Sequence, residues 1–202
     1  MKTRSKLAVA LLAVLLVAAS VSGYMWHTNR GPFQDNRVAG LPDGRVRVLD
    51  AEPSHMDLLF HRRGGVSFNH FGEGVHVYLA HYLGDELVLH ESIASISTQG
   101  DWDFNGTVLW GVTIEDLPHE LRVHLLVGGA MSRGYFDFSQ FDFELGLMAG
   151  PSLPSSAIRR GERHILQRWL ATGIMPVDDS RVFDPENLRR YGESAFLYVV
   201  FR

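Results

Sequence analysis

The chain has no cysteine. That excludes disulfides, thiolate zinc fingers, thiol catalysis and a lipid-modified cysteine, so the fold must hold itself by burial. Lysine is nearly missing as well: Lys2 and Lys6 are the only two, and arginine supplies the other positive charge. The skew points to a GC-rich bacterial genome rather than to a function. Beyond Lys2, Arg4 and Lys6, 16 basic residues face 23 acidic ones, a balance of about −7. An acidic domain of this kind disfavours nucleic acid as a partner.

Long apolar runs are absent too, with one exception. Leu7 to Trp26 follows three basic residues and contains no charge. Twenty residues at ~1.5 Å each give a helix of roughly 30 Å, the thickness of a bilayer's hydrocarbon core. The basic flank predicts a cytoplasmic N-terminus and a single-pass protein with its C-terminal domain outside the cell membrane. Tyr24 and Trp26 suit the membrane–water interface. The alternative is a signal peptide cleaved near residue 23, after the small residues Val21-Ser22-Gly23, which would release a secreted protein. Either way residues 1–26 act as signal-anchor or signal peptide, 27–43 read as a linker broken by Gly31-Pro32 and Pro42-Asp43-Gly44, and 44–202 form one extracytoplasmic domain.

Within that domain the alternation of Arg45-Val46-Arg47-Val48 predicts a first strand. Glycines at 64, 65, 72 and 74 match neither GxGxxG nor a P-loop and predict a flexible loop with one short strand. Gly84-Asp85 predicts a type II′ hairpin between Val75–Leu83 and Glu86–Ile93, in which His81 and His90 become diagonal neighbours. Ser132-Arg133-Gly134 predicts a three-residue loop between Leu121–Met131 and Tyr135–Leu145, pairing Leu125 with Phe141 and Arg122 with Glu144. With Val108 to Ile114 upstream, this makes a three-stranded meander. Ile158, Ile165, Leu166, Trp169 and Leu170 recur at helical spacing and predict a helix from about Ser156 to Thr172, with Arg159, Arg160, Arg163 and Arg168 on its outer face. Residues 174–192 read as loop, and Ala195–Phe201, apolar on both faces, as an interior strand. The sum is an all-β fold with one late α-helix: an antiparallel β-sandwich of immunoglobulin-like or jelly-roll type.

Three patterns bear on chemistry. Asp101-Trp102-Asp103-Phe104-Asn105-Gly106 fits D-x-D-x-N-G, the opening half of a calcium loop, whose alternate oxygen side chains converge on a hard cation. The twelfth position is Val112 rather than Glu, so there is no EF-hand. Asp101, Asp103 and Asn105 remain calcium candidates if another carboxylate joins them, against the plainer reading of an acidic turn. His81 and His90 are a second candidate metal pair. Trp102, Phe104 and Trp110, with Tyr78 and Tyr82, offer rings on which a sugar stacks. HExxH and G-x-S-x-G patterns are lacking, since the histidines of His119-Glu120-Leu121-Arg122-Val123-His124 stand one residue too far apart. The expected function is therefore an exported, membrane-tethered, non-catalytic module for binding, assembly or sensing, its partner an envelope protein or polymer. The alternative is a metal-dependent extracytoplasmic enzyme assembled from His81, His90, Asp101 and Asp103.

Overall fold

The computed structural model describes residues 2–49, 60–113, 120–138, 147–149, 155–172 and 181–202. Helix α1 covers Lys2–His27, roughly 39 Å at ~1.5 Å per residue. The span Leu11–Phe33, of mean hydropathy 1.5 and with none of its window buried, is long and apolar enough to cross a membrane. The helix ends on Asn29, a non-glycine residue at φ 52. The Asn29 N–H donates to the Trp26 carbonyl at 3.2 Å and the Arg30 N–H to that of Met25 at 2.9 Å. These two bonds are a Schellman closure, with asparagine in the left-handed position that glycine usually takes.

Among the described residues nine strands follow, joined in one antiparallel sheet: β1 Arg45–Val48, β2 Phe60–Leu83, β3 Glu86–Thr113, β4 Glu120–Val127, β5 Ala130–Asp137, β6 Leu147–Ala149, β7 Ser155–Ala157, β8 Arg163–Leu170 and β9 Glu193–Phe201. Their order is β5-β4-β3-β2-β9-β8-β6, with β1 between β2 and β7. A second helix, α2, covers Pro185–Tyr191. The long strands β2 and β3 run through two arms. Before Gly72, β2 pairs with β1 and the end of β3; after Gly74 it pairs with β9 and the start of β3. At the corner between them Glu73 alone lies opposite Thr98 to Asp101. One apolar cluster takes Phe68, Val108 and Leu125 from the first arm and Val77, Leu197 and Trp169 from the second. A smaller cluster on the other face of β9 and β8 is covered by Leu188 and Tyr191 of α2 and by Val182.

Several expectations hold. Gly84 takes φ 58 at the first hairpin's turn, β3-β4-β5 form the meander, and β9 is an interior strand buried along almost its whole length. Others are corrected. The glycine-rich stretch is continuous strand, because Gly64 lies opposite Trp110 and its missing Cβ leaves room for the indole. The second hairpin turns at Gly128-Gly129, not at Ser132–Gly134, and pairs Leu125 with Ser132 and Leu121 with Phe136. Gly128 at φ 53 and Gly129 at φ 87 supply the two positive φ values of a two-residue type I′ turn, which matches strand twist without any bulge. Phe141 and Glu144, the expected partners, lie outside the described residues.

The late helix is also displaced. Residues 163–170 are strand β8, and Arg168 is buried at 2 % exposure instead of standing on a basic outer face. Their spacing imitates a helix because β8 is covered on both faces and bulges at Leu166: Ile165 and Leu170 enter the smaller cluster, Leu166 and Trp169 the larger. The helix forms in the stretch read as loop, where Pro185 occupies the first turn, Arg189 and Arg190 the last, and Gly192 at φ 69 ends it.

Gly134 decides how the sheet closes. A Cβ there would strike the Ile93 carbonyl oxygen, and nearby the Ser95 N–H donates to Ser132 Oγ at 3.2 Å, so β5 lies against the first part of β3. Gly134→Val is expected to cost roughly 1–3 kcal/mol by overpacking, and Gly128→Val about as much through its positive φ. Urea unfolding in detergent measures both. A neutral Gly128→Val would return the turn to residues 132–134.

Candidate functional site

The site lies where residues 28–44 cross the outer face of the first arm. Alternation sets that face: Phe68 points into the core and His70 against the Phe201 ring, so Asn69 and Phe71 point outward. On the paired segment of β3, Phe104 is buried in the core while Asp103 and Asn105 lie opposite Phe71 and Asn69. The crossing segment was expected to be a linker; it is an ordered strap. Asn69, at 1 % exposure, donates from Nδ2 to the carbonyls of Leu41 at 2.6 Å and Val38 at 3.2 Å, and its Oδ1 accepts the Val38 N–H at 2.8 Å. Asn29 does the same from the helix side, donating to the Leu41 carbonyl at 2.7 Å and to Asp43 Oδ1 at 3.0 Å. Two buried asparagines thus tie α1 to the sheet through one short loop.

Two cavities flank the strap. The larger, about 470 Å³, is lined by Arg37, Asp43, Asn69, Phe71, Asp103, Asn105 and Arg160 among others; the smaller, about 120 Å³, by Asp35, Asn36, Trp102 and Gly128 among others. Arg37, Asp103 and Asn105 line both. The larger volume falls within the roughly 300–1,000 Å³ typical of small-molecule sites. Arg37 Nε is held by Asp43 at 3.0 Å and Arg160 by Asp101 at 3.2 Å, while Arg160 also donates to the Phe71 carbonyl at 2.7 Å. Asn105 is 7 % exposed and its side-chain amide has no hydrogen-bond partner among the described residues. Trp102 and Phe71, at 59 % and 57 % exposure, stand at the rims.

The sequence candidates separate. Asp103 and Asn105 meet at the cavities, but in extended backbone their Cα atoms are ~7 Å apart, and Asp101 is drawn to Arg160. The turn that a calcium half-loop needs is strand instead. His81 and His90 lie on opposite faces of the sheet, because Val88 is an extra residue on β3 that pairs His81 with Leu89 and Ala80 with His90. His81 Nε2 bonds Glu193 Oε1 at 2.9 Å, and His90 Nε2 bonds the Tyr198 hydroxyl at 2.6 Å. Among the described residues no group of three or more His, Asp or Glu side chains is placed to hold a metal. Of the five candidate stacking rings, Phe104, Trp110 and Tyr82 are buried, Tyr78 stacks on His90 with centroids 5.1 Å apart, and Trp102 alone is open. Arg37, Asn69 and Phe71 were missed. No sequence signal singled out Asn69, since β2 carries eight other polar or charged residues.

No family model, curated protein or solved structure matches the chain.

Two predictions follow from the strap and the histidines beside it. Asn69→Ala orphans strap groups and is expected to cost about 2 kcal/mol, with limited proteolysis opening at Arg37 before the sheet unfolds. Burial pushes His70 and His164 below their ordinary value, against the opposing hydrogen bonds to the Arg202 and Arg159 backbones. Protons therefore bind the unfolded chain more readily, so stability is full above about 6.5 and falls as pH drops through it toward the folded-state values. Urea midpoints at pH 7 and pH 5 should show the loss, and His70→Gln should make it smaller.

Proposed function

We propose that the protein is an exported, membrane-tethered, non-catalytic binding module, with α1 as a retained anchor and the β-domain on the outer side. The carrying observation is the joint between them: an unburied apolar helix whose last turn is hydrogen bonded, through Asn29, to the strap that roofs a polar cavity. A cleavable leader has no need of such a joint, and its closure favours retention over release near residue 23. The basic residues ahead of the helix favour an inside N-terminus. A sandwich arrangement is supported by the single core drawn from both arms of the sheet. The lining charges, Arg37 with Asp43 and Arg160 with Asp101, are spent on one another and hold the walls in place. That is the economy of a binding site rather than of a reactive centre. The partner on this reading is an envelope component that reaches the juxtamembrane cavity.

The cysteine-free chain makes the orientation easy to test. Glu86→Cys on the exposed hairpin should react with a membrane-impermeant maleimide on intact cells, whereas Thr3→Cys should react only after lysis. The reverse pattern would place the domain inside the cell, and labelled protein appearing in the medium would restore cleavage.

A further inference from the structure

The cavities under the strap identify a class of ligand; this rests on the binding-module reading above. We infer that they form one site for a neutral saccharide, with Asp103 and Asn105 as hydroxyl partners and Trp102 as the stacking platform. Three observations carry it. The first is the Asn105 amide, buried on a strand, without a partner and opening on both cavities. The amide is reached from both cavities, and a ligand there can take the hydrogen bonds that water would otherwise supply. An amide offers both a donor and an acceptor, which suits vicinal hydroxyls.

The second is charge. Arg37 is neutralised by Asp43 and Arg160 by Asp101, so the two linings contribute the Asp103 and Asp35 carboxylates as charges without an ion pair among the described residues. Such a carboxylate repels anions, which argues against a phosphate or uronate. It accepts hydrogen bonds from hydroxyl groups strongly, because one partner is ionised. Arg37 engages Asp43 through Nε, and its planar fork has further N–H groups for sugar oxygens.

The third is the aromatic rim. Trp102 is 59 % exposed, meets Phe104 in a T-shaped contact with centroids 6.1 Å apart, and lines the smaller cavity. An aromatic face beside a carboxylate and an amide matches the two sides of a sugar ring: C–H groups on the face and hydroxyls at the edge. Phe71 gives the larger cavity a second exposed ring.

A soluble envelope glycan and a glycolipid headgroup beside the anchor both offer such a saccharide, and the test separates these sources. Full-length protein in phosphatidylcholine nanodiscs, free of glycosidic detergent, is titrated by calorimetry with neutral oligosaccharides, with uronate and phosphorylated oligosaccharides, and with neutral glycolipids added to the disc. The expected result is saturable binding to a neutral sugar in one of the two neutral arms. Trp102→Ala and Asp103→Ala should each weaken it roughly 10–100-fold, while Trp102→Phe largely preserves it and all three variants keep the wild-type melting curve. Exclusive binding of the anionic set, no binding in any arm, or neutral binding that both alanine variants retain would overturn the inference. Because the titration uses purified protein, a negative result leaves the orientation test on cells untouched, and a failed orientation leaves the titration readable.

Discussion

The structure depends on a corner. At Glu73 the two long strands change direction together, and the backbone oxygen of Arg202 holds them there. The Arg202 oxygen accepts the N–H of Glu73 at 2.6 Å, that of Gly74 at 3.2 Å and the Nε2 of His70 at 2.9 Å, while the Arg202 N–H returns a bond to Gly74. Gly72 sits where a Cβ would collide with that same oxygen. Opposite, four residues of β3 face the single Glu73, with Gly100 at φ 97 absorbing the bend. A β-bulge of this kind increases local twist and bends the strand. Here it divides one sheet into two arms that share a core, and so it determines which side chains are inside.

The outward face of the first arm inherits its role from that division. Phe68 and Phe104 turn inward, which leaves Asn69, Phe71, Asp103 and Asn105 outward beneath the strap. Buried polar groups must find partners. Asn69 finds them in the backbone of residues 38–41, and in doing so fixes the loop that follows the helix. The Asn105 amide makes no hydrogen bond among the described residues and lines the cavity wall. Helix α1, the strap and the cavity are therefore mechanically continuous: what occupies the space beside Arg37 also touches the segment through which α1 is held.

The other arm is covered twice. Its inner face meets the shared core, and its outer face meets α2 with Val182 and Phe183, while Arg163 lies 4.5 Å from the centroid of the Phe183 ring. Double coverage makes β8 and β9 apolar on both sides, a pattern common to buried strands and buried helices. It explains both a success and a failure of sequence reasoning. Residues 195–201 were legible as strand because β-branched and aromatic residues run without interruption. Residues 163–170 imitated a helix because polar Gln167 and Arg168 interrupt the run and a bulge at Leu166 shifts the alternation.

By itself the sequence determined what depends on neighbours along the chain. The apolar helix with its basic flank, the turn at Gly84, the meander and the apolar terminal strand all follow from short-range periodicity and turn chemistry. The helix at 185–191 lies in the stretch read as loop, although Asp184-Pro185-Glu186 and Arg189-Arg190-Tyr191-Gly192 carry start and stop signals. Tertiary structure decided everything set by register. An extra Val88 puts His81 and His90 on opposite faces; a two-glycine turn wins over a three-residue loop; a strap that reads as linker becomes wall because Asn69, on a distant strand, accepts and donates to it. The candidate site was half visible for the same reason. Asp103 and Asn105 stood in a recognisable pattern, but the partners that give them meaning, Arg37 and Asn69, come from other parts of the chain and meet them only after the corner forms. Hydrogen bonds between distant segments obey no sequence period, and that is why pairing across the sheet had to be seen rather than read.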